Sequence, residues 1–201
     1  MIGTRGRLFL LILAMQTVAA ATTASAEEAF MRTGGRTTQP VGHYEFCQMQ
    51  PGECDGNASR NTPVELSRSL WTLIVETNDA VNTEVSPQTD LEMWGREEFW
   101  SYPAGIGDCE DYVLEKRRRL MDAGVPMGNL LITVVRQRNG AGHAVLTMKT
   151  SRGDFVLDNL EPRILAWNET DYTFLKRQSE QQAGIWLSIN SGSSGAVASV
   201  R

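Results

Sequence analysis

A cysteine at the predicted start of a helix is the residue of this sequence best suited to covalent chemistry. Cys109 lies within Gly107 to Asp111, where Asp108 is typical of a helix N-cap and Asp111 of the third helical position. Unpaired N–H groups and the positive end of a helix dipole stabilise a thiolate there and can bind an oxyanion. The carboxylates of Asp108, Glu110 and Asp111 oppose this, because negative charge raises the pKa of a thiol. Either these acids only cap the helix, or a hard cation such as calcium binds some of them and removes that penalty.

A thiol nucleophile also needs a base and a group that orients the base. His143 begins a predicted strand, and a second strand follows a short turn. If a two- or four-residue loop makes Lys149 face Asp154, then Asp158 lies on the same face as His143, one diagonal step away. A three-residue loop would put them on opposite faces. Cys109, His143 and Asp158 therefore predict nucleophilic catalysis, with His143 as base and Asp158 as its orienting group.

The other two cysteines allow two interpretations. Cys47 and Cys54 flank a Pro-Gly turn that can bring them together as a disulfide, which is typical of an exported protein. A bridge across so short a loop would stabilise the fold by about 2 kcal/mol. The alternative is a metal site formed by His43, Cys47 and Cys54, for which the sequence offers no obvious fourth ligand.

Helices precede strands along the chain, which predicts an α+β fold with the helices packed on one face of an antiparallel sheet. A Thr-Pro-x-Glu start predicts one helix from Thr62 to about Val85, and a second runs from Asp108 to a stop near Gly124. Residues 27–40 have little apolar periodicity and are predicted to be a mobile arm. The predicted strands are Leu130–Arg136, His143–Lys149, Asp154–Leu160 and Ile185–Ile189.

The chain ends and the composition bound the location and the partners. Residues 1–26 have a basic start, a short apolar stretch and a small-residue cleavage site, which predicts a signal peptide and export to the periplasm. The apolar stretch is shorter than a membrane span, so we expect no integral membrane protein. Residues 27–189 form the predicted domain, and residues 190–201 a disordered tail. With 19 Lys and Arg against 24 Asp and Glu, the net charge of −5 argues against a nucleic-acid partner.

Three sequence blocks together resemble the bacterial transglutaminase-like cysteine peptidases. They are Gly107 to Tyr112, Gly142 to Leu146 and Val156 to Leu160, and the similarity also includes Phe46 to Cys54, Trp94-Gly95 and Glu98 to Trp100. The resemblance implies a papain/transglutaminase-like core with Cys109 as nucleophile, His143 as base and Asp158 as orienter. One branch of the family is calcium-dependent and releases biofilm adhesins, so Asp108 and Glu110 are the implied calcium ligands.

The resemblance also implies partners and leaves alternatives. A protein substrate is expected, with a cell-surface adhesin as one candidate and an inner-membrane receptor as a candidate regulator. The same acyl-enzyme could pass its acyl group to an amine, which is transglutaminase chemistry, and a different class is a non-catalytic, metal-stabilised binding module. Three aromatic residues that precede Cys109 are candidate side-chain donors to the oxyanion: Trp94, Trp100 and Tyr102.

Overall fold

The computed structural model describes residues 29–55 and 62–190. Its helices are α1 (Val41–Met49), α2 (Arg68–Glu84), α3 (Asp90–Trp94) and α4 (Cys109–Asp122), with 3-10 turns at Pro51–Glu53, Met127–Asn129 and Trp167–Glu169. Its strands are β1 (Thr33–Thr37), β2 (Ser86–Pro87), β3 (Ile106–Gly107), β4 (Leu130–Arg136), β5 (Gly142–Thr150), β6 (Gly153–Leu157), β7 (Leu165–Ala166), β8 (Thr173–Gln178) and β9 (Trp186–Ile189). The predicted leader (1–26) and all but the first residue of the predicted tail (190–201) lie outside the described residues.

Seven strands form one antiparallel sheet in the order β1-β9-β8-β4-β5-β6-β7. The helices cover one face, where Ile74 of α2 and Leu114 of α4 pack with the inward residues of β4 and β5. The opposite face carries a second apolar cluster that includes Val135, Val145 and Phe174. These layers confirm the predicted α+β class with helices on one sheet face. Alternate residues along each strand point to opposite faces, so the sheet has two separate apolar surfaces.

The central strands follow the predicted pattern closely. Strand β4 has the predicted bounds, and the hairpin of β5 and β6 pairs Lys149 with Asp154 across a two-residue turn. Strand β6 ends at Leu157 and not at Leu160, because the Asp158 carboxylate turns back and accepts the N–H of Leu160 at 3.0 Å. A side chain that captures a nearby backbone N–H ends the ladder of strand hydrogen bonds.

The predicted start of the first long helix is wrong. Helix α2 begins at Arg68, where the Ser67 hydroxyl accepts the N–H of Leu70 at 3.1 Å. The Thr62–Glu65 segment is extended, and the Val64 carbonyl accepts the N–H of Ser151 at 2.7 Å. The fixed φ of a proline suits both an extended segment and a first helical turn. The long-range hydrogen bond from Ser151, in the β5–β6 hairpin, therefore determines that the segment is extended.

The prediction of a mobile arm is also wrong for its described residues, 29–40. Residues 33–37 form β1, which pairs with β9 at the edge of the sheet. The N–H of Asn190 donates to the Arg32 carbonyl at 2.9 Å and extends this pairing. Glycine and threonine give no apolar periodicity here because one side of this edge strand faces solvent.

Candidate active site

The start of α4 is fixed by a close approach between its first turn and the preceding strand. A Cβ at Gly107 would lie 2.7 Å from the Asp111 Cβ, so only glycine fits beneath this side chain. Asp111 accepts the N–H of Ser101 at 2.9 Å through Oδ1. Asp108 is at the predicted N-cap position and Asp111 at the predicted third helical position, although the Asp108 side chain makes no capping hydrogen bond. The Asp111 side chain thus connects the first turn of α4 to the loop that precedes it.

Cys109 is the first residue of α4 and is half-buried. Its thiol donates to Glu110 Oε2 at 3.1 Å. Burial, together with the negative charge of Glu110, raises the pKa of the Cys109 thiol well above its ordinary value. With these contacts alone the sulfur stays protonated, so its activation requires a change in the charge around it.

His143 and Asp158 lie together, as the hairpin register predicts. The His143 Nε2–H donates to Asp158 Oδ1 at 2.8 Å, and both side chains are buried. A carboxylate only accepts hydrogen bonds, which assigns the proton to Nε2 and leaves Nδ1 free to accept a proton. Burial alone would raise the pKa of Asp158, but hydrogen bonds from His143, Leu160 and Tyr172 hold it below its ordinary value.

One groove receives both Cys109 and His143. Its volume is about 370 Å³, and it is lined by Pro40, Glu98, Trp100, Cys109, Glu110, Val134, Gly142, His143, Ala144 and Lys176. In the described part of the chain, the thiol bonds to Glu110 and not to the His143 ring. The groove therefore offers a substrate access to both a thiol and an oriented imidazole.

A cluster of buried carboxylates lies beside Cys109. Ligand oxygens of Asp90, Asp108 and Glu110 are all within 4.8 Å of one another. Burial, reinforced by Asp108, raises the pKa of Glu110 to about 9, and burial with neighbouring carboxylates raises that of Asp111 to about 7. Burial also raises the pKa values of Asp90 and Asp108. The protein thus crowds like charges that only protonation or a cation can neutralise.

The donor set of this cluster fits a hard divalent cation. The Oδ1 atoms of Asp90 and Asp108 are buried and have no hydrogen-bond partner, while the Oδ2 atom of Asp90 accepts the N–H of Phe99. Unpartnered buried carboxylate oxygens are costly unless a ligand satisfies them. Oxygen ligands of this kind suit calcium or magnesium and not a soft metal.

The structure joins Cys47 and Cys54 in a disulfide, with their Cα atoms 5.6 Å apart. Their sulfurs are therefore not available as thiolate ligands, which favours the disulfide over the alternative metal site with His43. The His43 ring is buried beneath the bridge and accepts the Trp186 Nε1–H at 3.2 Å. Burial lowers the pKa of His43 to about 3, so this ring is neutral and structural.

Only one of the three aromatic candidates for oxyanion binding lines the groove among the described residues. Trp100 is buried, and its Nε1–H donates to Glu98 Oε2 at 3.2 Å. Trp94 is exposed and packs against Phe99, whereas Tyr102 packs against Phe46 in the core. Packing explains the latter two positions.

The sequence profile of a family described as bacterial transglutaminase-like cysteine proteinase matches residues 33–194. The chain belongs to this family. It is a cysteine peptidase with a transglutaminase-like fold, so the alternative of a non-catalytic binding module is wrong. None of the curated proteins compared with this peptidase matches it.

Solved structures of one relative resemble the peptidase. Legionella pneumophila LapG is 28% identical, with a TM-score of 0.50, over 59% of this chain and 68% of its own. An EGTA-treated LapG gives the same identity and TM-score and is covered over 67% of its length. A calcium-bound LapG is 22% identical with a TM-score of 0.52, over 71% of this chain and 86% of its own, and supports the fold alone.

Two residues at the site of the peptidase were missed by sequence reasoning. Asp90 belongs to α3, whose capping box of Thr89 and Glu92 is readable in the sequence. Its proximity to Asp108 depends on the packing of two helix starts, which no local pattern gives. Tyr172 donates its hydroxyl to Asp158 Oδ2 at 2.5 Å from the loop before β8, and no sequence signal marks this contact.

No helix in the described part of the peptidase combines the length and apolar character needed to cross a membrane.

Proposed function

We propose that the chain is an exported, periplasmic endopeptidase in which Cys109 is the nucleophile, His143 the general base and Asp158 its orienter. The observation that carries this is the 2.8 Å hydrogen bond between His143 and Asp158 on the wall of the groove that also receives Cys109. Membership of a cysteine peptidase family gives such a set of side chains a defined reaction. The predicted signal peptide (1–26) and the domain (27–189) belong to the same proposal.

The geometry suggests how protons move during amide hydrolysis. His143 Nδ1 accepts the Cys109 proton while Nε2–H remains bonded to Asp158, and the resulting thiolate attacks the scissile carbonyl carbon. The N–H of Cys109, at the first turn of α4, is the backbone donor for the oxyanion. His143 then gives its proton to the leaving amine, and a water molecule that His143 deprotonates hydrolyses the acyl-enzyme.

We propose calcium as the resident cofactor, held by Asp108 and Glu110, with Asp90 as a further ligand. The unpartnered Oδ1 atoms of Asp90 and Asp108 support this assignment. A bound calcium supplies positive charge that keeps the carboxylates ionised and offsets their effect on the neighbouring thiol. Glu110 Oε2, which accepts the thiol hydrogen bond in this structure, would then be engaged elsewhere. Asp111 is not included among the proposed ligands, because its Oδ1 atom already accepts the N–H of Ser101.

The protein substrate is proposed to be a cell-surface adhesin, with an inner-membrane receptor as regulator. The resemblance of the three sequence blocks and the predicted export signal support this part of the proposal. Transglutaminase-type transfer would use the same acyl-enzyme with an amine in place of water, so the test below includes an amine donor.

The decisive experiment compares the mature wild type with Cys109→Ala on isolated bacterial surface proteins, with calcium or with EGTA. We expect new protein N-termini only with wild type and calcium, including termini from an adhesin. Cys47→Ala serves as the control, because loss of the disulfide should lower stability while the groove keeps its reactive groups. Equal cleavage by Cys109→Ala would overturn the nucleophile, and undiminished cleavage in EGTA would overturn calcium dependence. Amine incorporation without new termini would replace hydrolysis by transfer.

A further inference from the structure

Asp158 is held by more hydrogen bonds than a group that only orients a histidine requires. The residue is 2% exposed, yet both carboxylate oxygens are partnered. Oδ1 accepts His143 Nε2–H at 2.8 Å and the N–H of Leu160 at 3.0 Å, while Oδ2 accepts the Tyr172 hydroxyl at 2.5 Å. Asn82 Nδ2–H donates to the Asp158 backbone carbonyl at 2.8 Å. These contacts fix the rotation of the carboxylate about its Cβ–Cγ bond.

We infer that Tyr172 is a positioning residue whose hydroxyl holds the Asp158 carboxylate, ionised and correctly rotated, against His143. This inference rests on the proposed function, in which Asp158 orients the base. Without the hydroxyl, Oδ2 would be a buried carboxylate oxygen with no protein partner, which is costly. The Tyr172 ring also contacts the His143 ring, with centroids 5.6 Å apart. One side chain therefore supports both members of the pair.

The charges around Asp158 explain why this hydroxyl matters. His143 faces it from β5, Tyr172 from the loop before β8, Lys116 from α4 and Glu161 from the loop after β6. Lys116 attracts the carboxylate and Glu161 repels it, but Lys116 Nζ has no hydrogen-bond partner and its pKa is lowered to about 7 by burial. Direct donors therefore hold the Asp158 charge, and Tyr172 is the donor to Oδ2.

The surroundings of Tyr172 allow the hydroxyl to be removed without loss of the fold. The side chain is half-buried and packs beside the apolar cluster of the outer sheet face, so phenylalanine keeps this contact. A cavity of about 180 Å³ is lined by residues that include Asp158 and Tyr172. Water entering there would replace the lost bond only in part. We therefore expect Tyr172→Phe to lower kcat/KM about tenfold and not to abolish it.

The test compares Tyr172→Phe with wild type in the full mature chain. The matched control is Tyr112→Phe, which also loses a buried hydroxyl contact, here to the Val85 carbonyl, and makes no hydrogen bond to Asp158. Carbon-13 NMR of the aspartate carboxyl groups gives the titration midpoint of Asp158. The pH profile of kcat/KM is measured on a peptide spanning a bond cleaved in the experiment above. Thermal unfolding reports any general loss of stability.

We expect Tyr172→Phe alone to raise the Asp158 midpoint and to move the acid limb of the profile to higher pH. An unchanged midpoint overturns the inference even when the wild type is active. A raised midpoint with unchanged kcat/KM and pH profile removes the positioning role. If Tyr172→Phe does not fold, a wild-type midpoint at or above the ordinary aspartate value contradicts a donor on Oδ2. If the wild type cleaves no protein, the proposed function is rejected. The titration midpoint of Asp158 then still tests the hydrogen bond from Tyr172.

Discussion

At the scale of single residues, carboxylates at this site serve two opposite purposes. Hydrogen-bond donors surround Asp158 and hold its pKa below the ordinary value, whereas Asp90, Asp108 and Glu110 face one another and their pKa values are raised. Burial raises the pKa of all four carboxyl groups. The difference in their pKa values arises because hydrogen-bond donors surround Asp158, whereas neighbouring negative charges surround the other three. The proposed calcium would therefore compensate only the acids that lack hydrogen-bond donors.

Asp90 tests this distinction because its replacement should have effects of opposite sign with and without calcium. Asp90→Asn keeps an oxygen for the Phe99 N–H but removes one charge from the cluster. The metal-free variant should unfold at a higher temperature than wild type, because like charges are fewer. Its calcium affinity should fall about tenfold or more, because ligand charge sets affinity in oxygen sites.

Calorimetric titration and thermal unfolding measure the two effects. Asp122→Asn, at the exposed far end of α4, is the matched control and should leave both quantities unchanged. A wild type that binds no calcium, or an Asp90→Asn protein with wild-type affinity, would remove Asp90 from the site.

At the scale of elements, the contact between β3 and α4 fixes the position of the first helical turn, which contains Cys109. Strand β3 pairs in parallel with β2, and its last residue is Gly107, directly beneath the Asp111 side chain. The contact is with the Asp111 Cβ, which cannot move without the helix backbone. The first turn of α4 is thus placed by a glycine and not by a side-chain cap.

Gly107→Ala should therefore lower stability and disturb the site together. The added methyl group meets a fixed atom, and overpacking of this kind costs about 1–3 kcal/mol of unfolding free energy. Gly52→Ala is the control, since a Cβ at this position would meet no atom of a more distant residue within 4 Å. Urea unfolding and the rate of Cys109 alkylation should change only in Gly107→Ala. Wild-type values for both would show that the first turn has room to adjust.

The elements also show which part of the fold a single sequence determines. The β5–β6 register was predictable because a two-residue turn fixes which residues face each other, and this register places Asp158 with His143. The start of α2 was not, because Thr62–Glu65 suits a helix or an extended segment, and Ser151 decides for the latter. Asp90 and Tyr172 reach the site through tertiary packing, which local patterns do not contain.

At the scale of the whole molecule, the two histidines of the chain differ in role: one is assigned to the proposed reaction and the other to the stability of the fold. His143 is the proposed general base, whereas His43 fills the core beneath the disulfide as an acceptor for Trp186 and a neighbour of Gln178 at 3.0 Å. Burial, with a smaller contribution from Arg117, lowers the pKa of His43 to about 3. The fold therefore requires the uncharged ring.

This requirement predicts acid sensitivity of the whole fold. Because the unfolded chain binds a proton at His43 near pH 6.5 and the folded chain only near pH 3, the stabilising effect is complete above pH 6.5 and declines as the pH falls towards 3. The loss approaches about 1.4 kcal/mol per pH unit, or about 2 kcal/mol at pH 5. The raised pKa values of Glu110 and Asp111 have the opposite sign in the metal-free protein, since their protonated forms favour folding as the pH falls.

Comparison with His43→Gln separates these contributions, because the acidic cluster is common to both proteins and cancels in their difference. Urea unfolding of metal-free wild type and His43→Gln at intervals from pH 7.5 to 4.5 gives that difference directly. We expect it to be constant above pH 6.5 and to shift steadily in favour of the variant below it. A difference that does not change with pH would mean that His43 accepts a proton in the folded protein, and hence that the core beneath the Cys47–Cys54 bridge admits charge.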